Sequence, residues 1–260
     1  MKIERFNVLG VALHAMTLPM ATEAVLEALR DRRKGYICVT GVHGVSEAQA
    51  DPDFRAVLSG AFLNTTDGMP LVWLGRRAVG GWVDRVYGPD LMLEIFRATQ
   101  STACRHFFYG GAPGVAEVLK QRMETRFPGV TICGLYCPPF RALAAGEEAE
   151  LQRLVREARP DIIWVGLSTP KQERFMHEYL PRLETTLMFG VGAAFDFHAG
   201  RVRQAPRWMQ RSGLEWFYRL CAEPRRLGRR YLVNNPLFLL RLLGQFFGLR
   251  KYPLEGVREP

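Results

Sequence analysis

The chain has 260 residues, of which 48% are hydrophobic and 23% are charged. These values are typical of a soluble globular protein with one large or two small domains and a sizeable core. The net charge is +9, but residues 201–251 contain 12 Lys and Arg against 2 acidic residues, whereas residues 1–200 are neutral. The positive charge therefore belongs to one C-terminal segment and suggests an anionic partner for it.

The five cysteines are an odd number, and their spacing matches no zinc site. They indicate reduced thiols in a cytosolic protein. The first seven residues include no apolar h-region, so no signal peptide is expected. Composition thus predicts a cytoplasmic protein without a cysteine-ligated zinc ion.

Apolar segments and helical patterns alternate along residues 1–200. Strands are predicted at 6–11, 36–40, 61–63, 105–109, 130–136, 161–167 and 186–192, and helices at 19–33, 45–49, 70–73, 91–99, 115–126 and 147–158, with further helix starts near 51 and 170. This alternation predicts an α/β fold in which a mostly parallel, Rossmann-like sheet carries helices on both faces. Residues 1–200 form the predicted core, and residues 201–260 form a basic helical appendage.

The stretch 64–73 carries the strongest candidate for chemistry. An apolar strand ends in small polar residues, and Asp67-Gly68 then precedes a helix that opens with Pro70. In open α/β sheets, ligands bind at such carboxyl ends of strands, where a carboxylate can act as a general base. An aspartate at this position can equally be a turn residue or a helix N-cap, which is its commoner role.

Other predicted strands also end in polar or glycine-rich turns. The residues at these ends are Thr40, Asp67, Gly110, Ser168-Thr169 and Gly192. In a parallel sheet they lie along one edge and form one crevice. The turn at 110–114 can present backbone N–H groups to a phosphate, although it matches neither a P-loop nor a complete dinucleotide-binding fingerprint.

The triplet Asp51-Pro52-Asp53 has two interpretations. Asp-x-Asp binds a metal-nucleotide complex in many sugar transferases. Proline suits the first position of a helix, however, and Asp51 suits the N-cap before it. We favour the capping role, and the sequence then implies no metal.

The segment after Gly200 alternates arginines with aromatic and aliphatic residues, and the run 235–249 is rich in Leu and Phe. This run is too short and too interrupted to span a bilayer. A basic, aromatic-rich amphipathic segment suits the interface of an anionic membrane. Packing of its apolar face on the core or on another subunit is an equally good alternative, and nucleic-acid binding is a weaker third.

Several stretches, taken together and in order, resemble one family. It is the WecG/TagA/CpsF family of glycosyltransferases, which act in bacterial cell-surface polysaccharide synthesis. The resemblance covers about residues 5–232. It rests on Thr40-Gly-Val-His-Gly, Asp51-Pro-x-Phe-Arg, Asp67-Gly-Met-Pro-Leu-Val-Trp, Arg85-Val-x-Gly-Pro-Asp, Gly111-x-Pro-Gly-Val, Pro170-Lys-Gln-Glu, Gly190-Val-Gly-Ala-Ala-Phe-Asp-Phe, Ala205-Pro-Arg-Trp-Met-Gln, Gly213-Leu-Glu-Trp and Glu223-Pro-x-Arg.

The resemblance implies a metal-independent, inverting transfer of a sugar from a UDP-sugar to a polyprenyl-diphosphate-linked acceptor, without a cofactor. It implies that Asp67 is the catalytic base, that Thr40 lies beside it, and that the basic segment covers the active site and binds the lipid diphosphate. The chain departs from many members at Val42, where they have Asn, and at Gln204, where they have Arg. These departures bear on donor or acceptor preference.

The resemblance also supplies expectations for individual residues and partners. The expected location is the inner face of the cell membrane, on an anionic surface, with a homo-oligomer as one possible assembly and nucleic acid not expected as a partner. Donor binding is assigned to Arg85, Gly110, Gly111, Tyr136, Gln172 and Asp196, and acceptor diphosphate binding to Arg207, Arg219, Arg225, Arg226 and Arg229. The alternative function is a non-catalytic nucleotide-binding or nucleic-acid-binding protein with a basic tail.

Overall fold

The computed structural model describes residues 3–254, with the exception of the side chains of Arg229 and Arg230. A six-stranded, fully parallel sheet lies at its centre, in the order β4-β3-β8-β7-β5-β6, and a two-stranded hairpin precedes it. The strands are β1 (Arg5–Val8), β2 (Val11–His14), β3 (Gly35–Thr40), β4 (Leu63–Thr66), β5 (Arg105–Gly110), β6 (Thr131–Tyr136), β7 (Ile162–Gly166) and β8 (Leu187–Gly190).

Helices cover both faces of the sheet, which confirms the predicted α/β fold. The helices are α1 (Leu18–Arg30), α2 (Val42–Ala50), α3 (Pro52–Ser59), α4 (Met69–Val79), α5 (Gly88–Thr99), α6 (Val115–Arg126), α7 (Ala145–Ala158), α8 (Lys171–Tyr179), α9 (Ala194–His198), α10 (Arg207–Arg211), α11 (Glu215–Ala222) and α12 (Pro224–Phe246).

Alternate residues of each strand point into two separate cores. Ile37, for example, packs with α1, α5, α6 and α9, whereas its neighbour Cys38 packs with α2, α3, α7 and α8. This alternation follows from the two-residue period of a strand. Burial on both faces explains the continuous apolar runs in the sequence.

The predicted strand at 6–11 is in fact a hairpin. Val8 pairs with Val11 across a two-residue turn, and both turn residues, Leu9 and Gly10, have positive φ values of 53° and 80°. Such a turn matches the twist of antiparallel strands. The side chain of Asn7 accepts a hydrogen bond of 2.8 Å from the N–H of Gly10 and stabilises the turn.

The C-terminal helices pack against the core on one side only. Phe238 of α12 is 2% exposed, and the side chain of Gln245 accepts a hydrogen bond of 3.0 Å from the N–H of Leu9. Core packing, one of the two interpretations of this segment, therefore holds for one face of α12. Leu227 is also buried and Leu242 is partly buried against the core, whereas most other apolar residues of α12 and of the turn after it are exposed: Leu232, Val233, Leu237, Leu239, Leu240, Leu243, Phe246 and Phe247. Within residues 3–254, no helix has the length and apolar character needed to cross a bilayer.

Candidate active site

Two neighbouring parallel strands bring Thr40 and Asp67 together. Thr40 ends β3 opposite Thr66 at the end of β4, and the N–H of Asp67 donates a hydrogen bond of 2.9 Å to the carbonyl oxygen of Thr40. Gly68, and not Asp67, is the N-cap of α4. Asp67 therefore does not serve as the helix cap that its local sequence suggested, and its carboxylate lies beside Gly41, the residue after Thr40.

The carboxylate of Asp67 lies between charges of both signs. Its side chain is 31% exposed, and its Oδ1 atom is buried without a hydrogen-bond partner among the described residues. Burial raises the pKa of Asp67 to about 6; Glu215 also raises it, while Arg85 and Arg219 oppose the shift. A carboxylate of this basicity is ionised at neutral pH yet accepts a proton more readily than an ordinary aspartate, as a general base requires.

Arg85 connects this carboxylate to the C-terminal helices. Its Nε atom donates to the backbone carbonyl oxygen of Asp67, and its Nη2 atom donates to the Oε2 atom of Glu215 over 2.6 Å. The same Nη2 atom lies 3.6 Å from Oδ1 of Asp67, and the guanidinium stacks 3.9 Å above the ring of Tyr87. Burial would lower the pKa of Arg85, but the charges of Asp67 and Glu215 outweigh burial and raise it, so Arg85 stays protonated.

Two residues of this cluster were not identified from the sequence. The hydroxyl of Tyr87 donates a hydrogen bond of 2.8 Å to Oε1 of Glu215. Burial, followed by the charge of Glu215, raises the pKa of Tyr87, which remains a donor. The sequence does contain a sign of Glu215, because it is one of only two acidic residues in 201–251, a segment that has 12 basic residues.

A third unpredicted residue holds Thr40. The hydroxyl of Thr40 donates a hydrogen bond of 2.6 Å to the Oδ1 atom of Asn64, and the Nδ2 atom of Asn64 donates to the carbonyl oxygen of Ala12 over 3.1 Å. The N–H of Asn64 donates to Nδ1 of the buried His14, whose pKa burial lowers to about 4. Since the hydroxyl proton of Thr40 is committed to Asn64, its oxygen is oriented to accept.

The turn after β5 depends on glycines whose positive φ values and close packing disfavour larger residues. Gly110 and Gly111 have φ values of +112° and +80°, and the N–H of Gly111 donates to the carbonyl oxygen of Gly166 over 3.0 Å. A Cβ atom on Gly110 would lie 2.7 Å from that oxygen, so no larger residue fits. The turn leads into α6 through Gly114, which leaves backbone N–H groups at a helix N-terminus, where anions bind.

The other three residues assigned to donor binding lie at the end of β6 and after β7 and β8. Gln172 is 4% exposed; its Nε2 atom donates to Glu173 over 2.9 Å, and its Oε1 atom is buried without a partner among the described residues. It lies against the glycine turn at 190–192. Tyr136 ends β6 and stacks on Tyr109, and Asp196 lies half-buried in α9.

The structure brings one of the assigned tail arginines to Asp67. Arg219 stacks 5.6 Å from the ring of Phe197, its buried Nε atom lacks a hydrogen-bond partner among the described residues, and its charge lowers the pKa of Asp67. Arg207 instead donates to both carboxylate oxygens of Asp90, over 2.8 and 3.2 Å.

The three remaining arginines lie near the start of α12. Arg225 and Arg226 are exposed there, and Arg226 bonds to Glu223 over 2.7 Å. The side chain of Arg229 lies outside the part of the chain that the structure describes. The positions of Arg225 and Arg226 neither join them to the Asp67 cluster nor assign them a ligand.

The capping role of Asp51 is confirmed. Its Oδ1 atom accepts a hydrogen bond of 2.9 Å from the N–H of Phe54, and its Oδ2 atom bonds to Arg174. Among residues 3–254, no cluster of three or more His, Cys, Asp and Glu side chains has an arrangement that could hold a metal ion.

Comparison with known proteins identifies the family. A model of the glycosyl transferase WecG/TagA/CpsF family matches residues 6–252. The chain is 32% identical to the N-acetylglucosaminyldiphosphoundecaprenol N-acetyl-beta-D-mannosaminyltransferase of Bacillus spizizenii, over 82% of this chain and 80% of the relative. Enzymes of the same name are 30% identical in Bacillus subtilis, over 74% of this chain and 73% of the relative, and 22% identical in Staphylococcus aureus, over 92% of each.

The family model spans the α/β core and the C-terminal helices alike, including the stretches that contain Asp67, Arg85 and Glu215. Between the enzymatic and the non-catalytic interpretations of the sequence, the family match and the named relatives decide for the enzyme. The chain is a glycosyltransferase, and it belongs to the WecG/TagA/CpsF family.

Proposed function

We propose that the enzyme transfers a sugar, with inversion and without a metal or cofactor, from a UDP-sugar to a polyprenyl-diphosphate-linked sugar. The observation that carries this proposal is the Asp67 carboxylate, whose pKa is about 6 and which lies between the cations Arg85 and Arg219 at the carboxyl edge of the sheet. The names of the relatives support the acceptor class, since they describe enzymes that act on a sugar linked through diphosphate to undecaprenol.

In this proposal Asp67 takes the proton from the acceptor hydroxyl. The oxygen of that hydroxyl forms the new bond to the anomeric carbon while the bond from that carbon to the UDP oxygen breaks. A single displacement inverts the anomeric configuration. Thr40 accepts a hydrogen bond from substrate beside the base, a role supported by the orientation of its hydroxyl toward Asn64.

Charge develops on the departing UDP, and donors placed in advance stabilise it. We assign this task to the backbone N–H groups at the N-terminus of α6, which the turn at Gly110 and Gly111 positions, and to Arg219. Gln172, Tyr136 and Asp196 remain proposed donor contacts, with the unpartnered Oε1 atom of Gln172 as the strongest support among them. Arg85 is proposed to organise the base as well as to contact the donor, because Glu215 already occupies one edge of its guanidinium.

Metal independence is supported by the engagement of Asp51. Its two oxygens cap α3 and bind Arg174, so the Asp-x-Asp triplet has a structural role. Arginines and helix N-termini then take over the neutralisation that a cation provides in other transferases. Activity is expected to survive exhaustive treatment with EDTA, and its loss with recovery in Mn²⁺ or Mg²⁺ would return Asp51 and Asp53 to consideration.

We also propose that residues 1–200 form the catalytic core and that residues 201–260 bind the acceptor diphosphate and the anionic inner face of the membrane. Arg207, Arg225, Arg226 and Arg229 belong to this proposal. It is supported by the exposed apolar face of α12, which is flanked by exposed arginines at the start of the helix. A second copy of the chain on the same face is the competing occupant.

The test of the function is a transfer assay with purified protein, a panel of UDP-sugars that includes UDP-N-acetylmannosamine, and a polyprenyl-diphosphate-linked N-acetylglucosamine acceptor. We expect one donor to give a disaccharide-lipid product with inverted configuration, in the presence or absence of EDTA. Hydrolysis without transfer, or no turnover with any UDP-sugar, contradicts the proposal.

A further inference from the structure

A carboxylate from the C-terminal helices is inserted among the core residues beside the base. Glu215 is the first residue of α11, and its side chain is 13% exposed. Its Oε2 atom accepts from Arg85 over 2.6 Å, and its Oε1 atom accepts from the hydroxyl of Tyr87 over 2.8 Å. Because Arg85 also stacks on Tyr87, the three side chains form one closed unit.

This unit controls how Arg85 meets Asp67. The guanidinium has two anionic neighbours: Nη2 lies 2.6 Å from Glu215 but 3.6 Å from Oδ1 of Asp67. The shorter contact is a hydrogen bond, and the longer one is not. Without the Glu215 carboxylate, the guanidinium would be free to bind the buried Oδ1 atom directly, and this charge-assisted hydrogen bond would lower the proton affinity of the whole carboxylate.

We propose that Glu215 is a positioning residue for the transfer reaction: it holds Arg85 and Tyr87 so that Oδ1 of Asp67 receives no direct hydrogen bond from Arg85 and the carboxylate stays ready to accept the proton of the acceptor. This inference rests on the proposed function, in which Asp67 is the base. It also means that the base reaches its working environment only when α11 is docked on the core.

The charged groups around Asp67 predict the sign of the effect. Arg85 and Tyr87 face it from the segment before α5, and Glu215 and Arg219 face it from α11. Glu215 raises the pKa of Asp67, whereas the two arginines lower it. Removing the negative charge of Glu215 leaves both cations in place, so the pKa of Asp67 falls and the base weakens.

A rival role for Glu215 predicts the opposite result. The carboxylate could instead occupy the place of a donor phosphate on Arg85 and block it. Removal of its charge would then tighten the binding of UDP and raise turnover. The two roles are therefore separated by the sign of two measurable quantities.

The experiment compares pH profiles of kcat/KM, kcat at pH 8 and the Kd of UDP by calorimetry for full-length Glu215→Gln and wild type, with UDP-N-acetylmannosamine and the lipid acceptor as substrates. For wild type we expect an acidic limb near pH 6. For Glu215→Gln we expect the limb to move about 0.5–1 unit toward lower pH, kcat to fall about tenfold, and the Kd of UDP to change less than about threefold.

Two control variants bracket this result. Tyr87→Phe keeps every charge and removes one hydrogen bond to Glu215, so we expect the limb at the wild-type pH and a loss of about twofold to fivefold in kcat. Glu157→Gln removes a surface carboxylate that pairs with Arg153 on α7, and all three quantities should match wild type.

The variant Asp67→Asn distinguishes a failure of the positioning role of Glu215 from a failure of the proposed function, in which Asp67 is the base. If that variant keeps wild-type turnover, the proposed base is wrong; if it is inactive while Glu215→Gln leaves the limb unmoved, the positioning role alone is wrong. Tighter UDP binding with faster turnover in Glu215→Gln also overturns the role. Should circular dichroism show Glu215→Gln to be unfolded, Glu215→Asp replaces it: the retained charge should keep the limb while the shorter side chain lowers kcat, and wild-type kcat would overturn the inference.

Discussion

The carboxyl edge of the sheet has two halves of different construction. The charged half follows β3 and β4 and consists of Thr40, Asp67, Arg85 and Glu215. The glycine half follows β5, β7 and β8 and consists of the turns at 110–111, 166 and 190–192 with Gln172. Side chains of opposite charge converge in the first, whereas the second is built mainly from backbone groups and from the amide of Gln172, which bonds to Glu173.

The difference teaches where each kind of chemistry can be placed. A proton acceptor needs a side chain whose pKa the surroundings adjust, and the charged half provides burial together with two cations and a second anion. A diphosphate needs close approach to N–H groups, and any Cβ atom at Gly110 would meet the backbone of Gly166. The C-terminal helices pack over the charged half, through Glu215 on Arg85 and through Gly213 against Trp73 of α4.

The largest expected effect is a loss of kcat, caused by a substitution in the charged half alone. Asp67→Asn keeps the shape of the side chain and removes the proton acceptor, so we expect kcat to fall by about 10²–10⁴-fold while the Kd of UDP changes less than about threefold. Steady-state kinetics and calorimetry measure the two quantities. Asp53→Asn, at an exposed position in the first turn of α3, is the control. A collapse of UDP affinity in Asp67→Asn would show that the two halves are not separate in function.

The second prediction concerns the glycine half, where a substitution should weaken UDP binding. Gly111 and Gly114 have almost equal φ values of +80° and +81°, but a Cβ atom on Gly111 would press on Val115 at 3.2 Å, whereas one on Gly114 meets nothing within 4 Å. We expect Gly111→Ala to weaken UDP binding by about tenfold, because the turn and the start of α6 must shift.

Gly114→Ala carries a similar backbone penalty without that displacement and is the matched control, since its UDP affinity should stay close to that of wild type. Calorimetry of both variants, with thermal melts to compare their folding, makes the measurement. Equal affinities in the two variants would remove the 110–111 turn from the proposed donor site.

A third prediction concerns the free energy of unfolding, which the ionised Asp67 carboxylate lowers. The folded protein raises the pKa of Asp67 from 3.8 to about 6, so ionised Asp67 opposes folding. The cost is absent below about pH 3.8, grows as the pH rises to about 6, and stays constant above it. Asp67→Asn should therefore be more stable than wild type by about 1–2 kcal/mol at pH 7.5, a value reduced for the screening of a partly exposed group, and equally stable near pH 3.8.

Urea unfolding at the two pH values tests this sign. A variant that is less stable than wild type at pH 7.5, or a difference that does not change with pH, would contradict the environment assigned to Asp67.

The smallest expected effect is on membrane binding, and it concerns the exposed apolar face of α12. Leu240 is 66% exposed, and Leu243 lies one turn further along the same side of α12. The double change of both to Gln should lower co-sedimentation with anionic liposomes by about threefold to tenfold without a change in Tm, since less apolar surface enters the interface. Val118→Gln, an exposed apolar residue of α6, is the control.

Point variants suit this test better than truncation, because Phe238 and Gln245 on the opposite face of α12 belong to the folded core. Unchanged sedimentation, together with a concentration-dependent dimer that the double variant abolishes, would assign the face to a second copy of the chain instead.

Much of the glycine half and part of the charged half could be predicted from local sequence. The helix at Val115–Arg126 has the predicted bounds, and Thr40, Asp67 and Gly110 lie at the ends of strands as expected. These features depend on turn chemistry and hydrophobic period, which act over a few residues. The hairpin at 5–14 was predicted as one strand, because Leu is rarely found at the positive φ that it adopts at position 9.

What the sequence alone determined is the order of strands and helices, the location of the candidate base after a strand, and the concentration of positive charge after residue 200. Only the tertiary structure decided that Glu215 meets Arg85 across 130 residues, that Asn64 holds the hydroxyl of Thr40, and which face of α12 is buried. The physical reason is that periodicity and turns arise from neighbours along the chain. The pKa of a carboxylate and the burial of a helix face depend on groups that only the packed fold brings within a few ångströms.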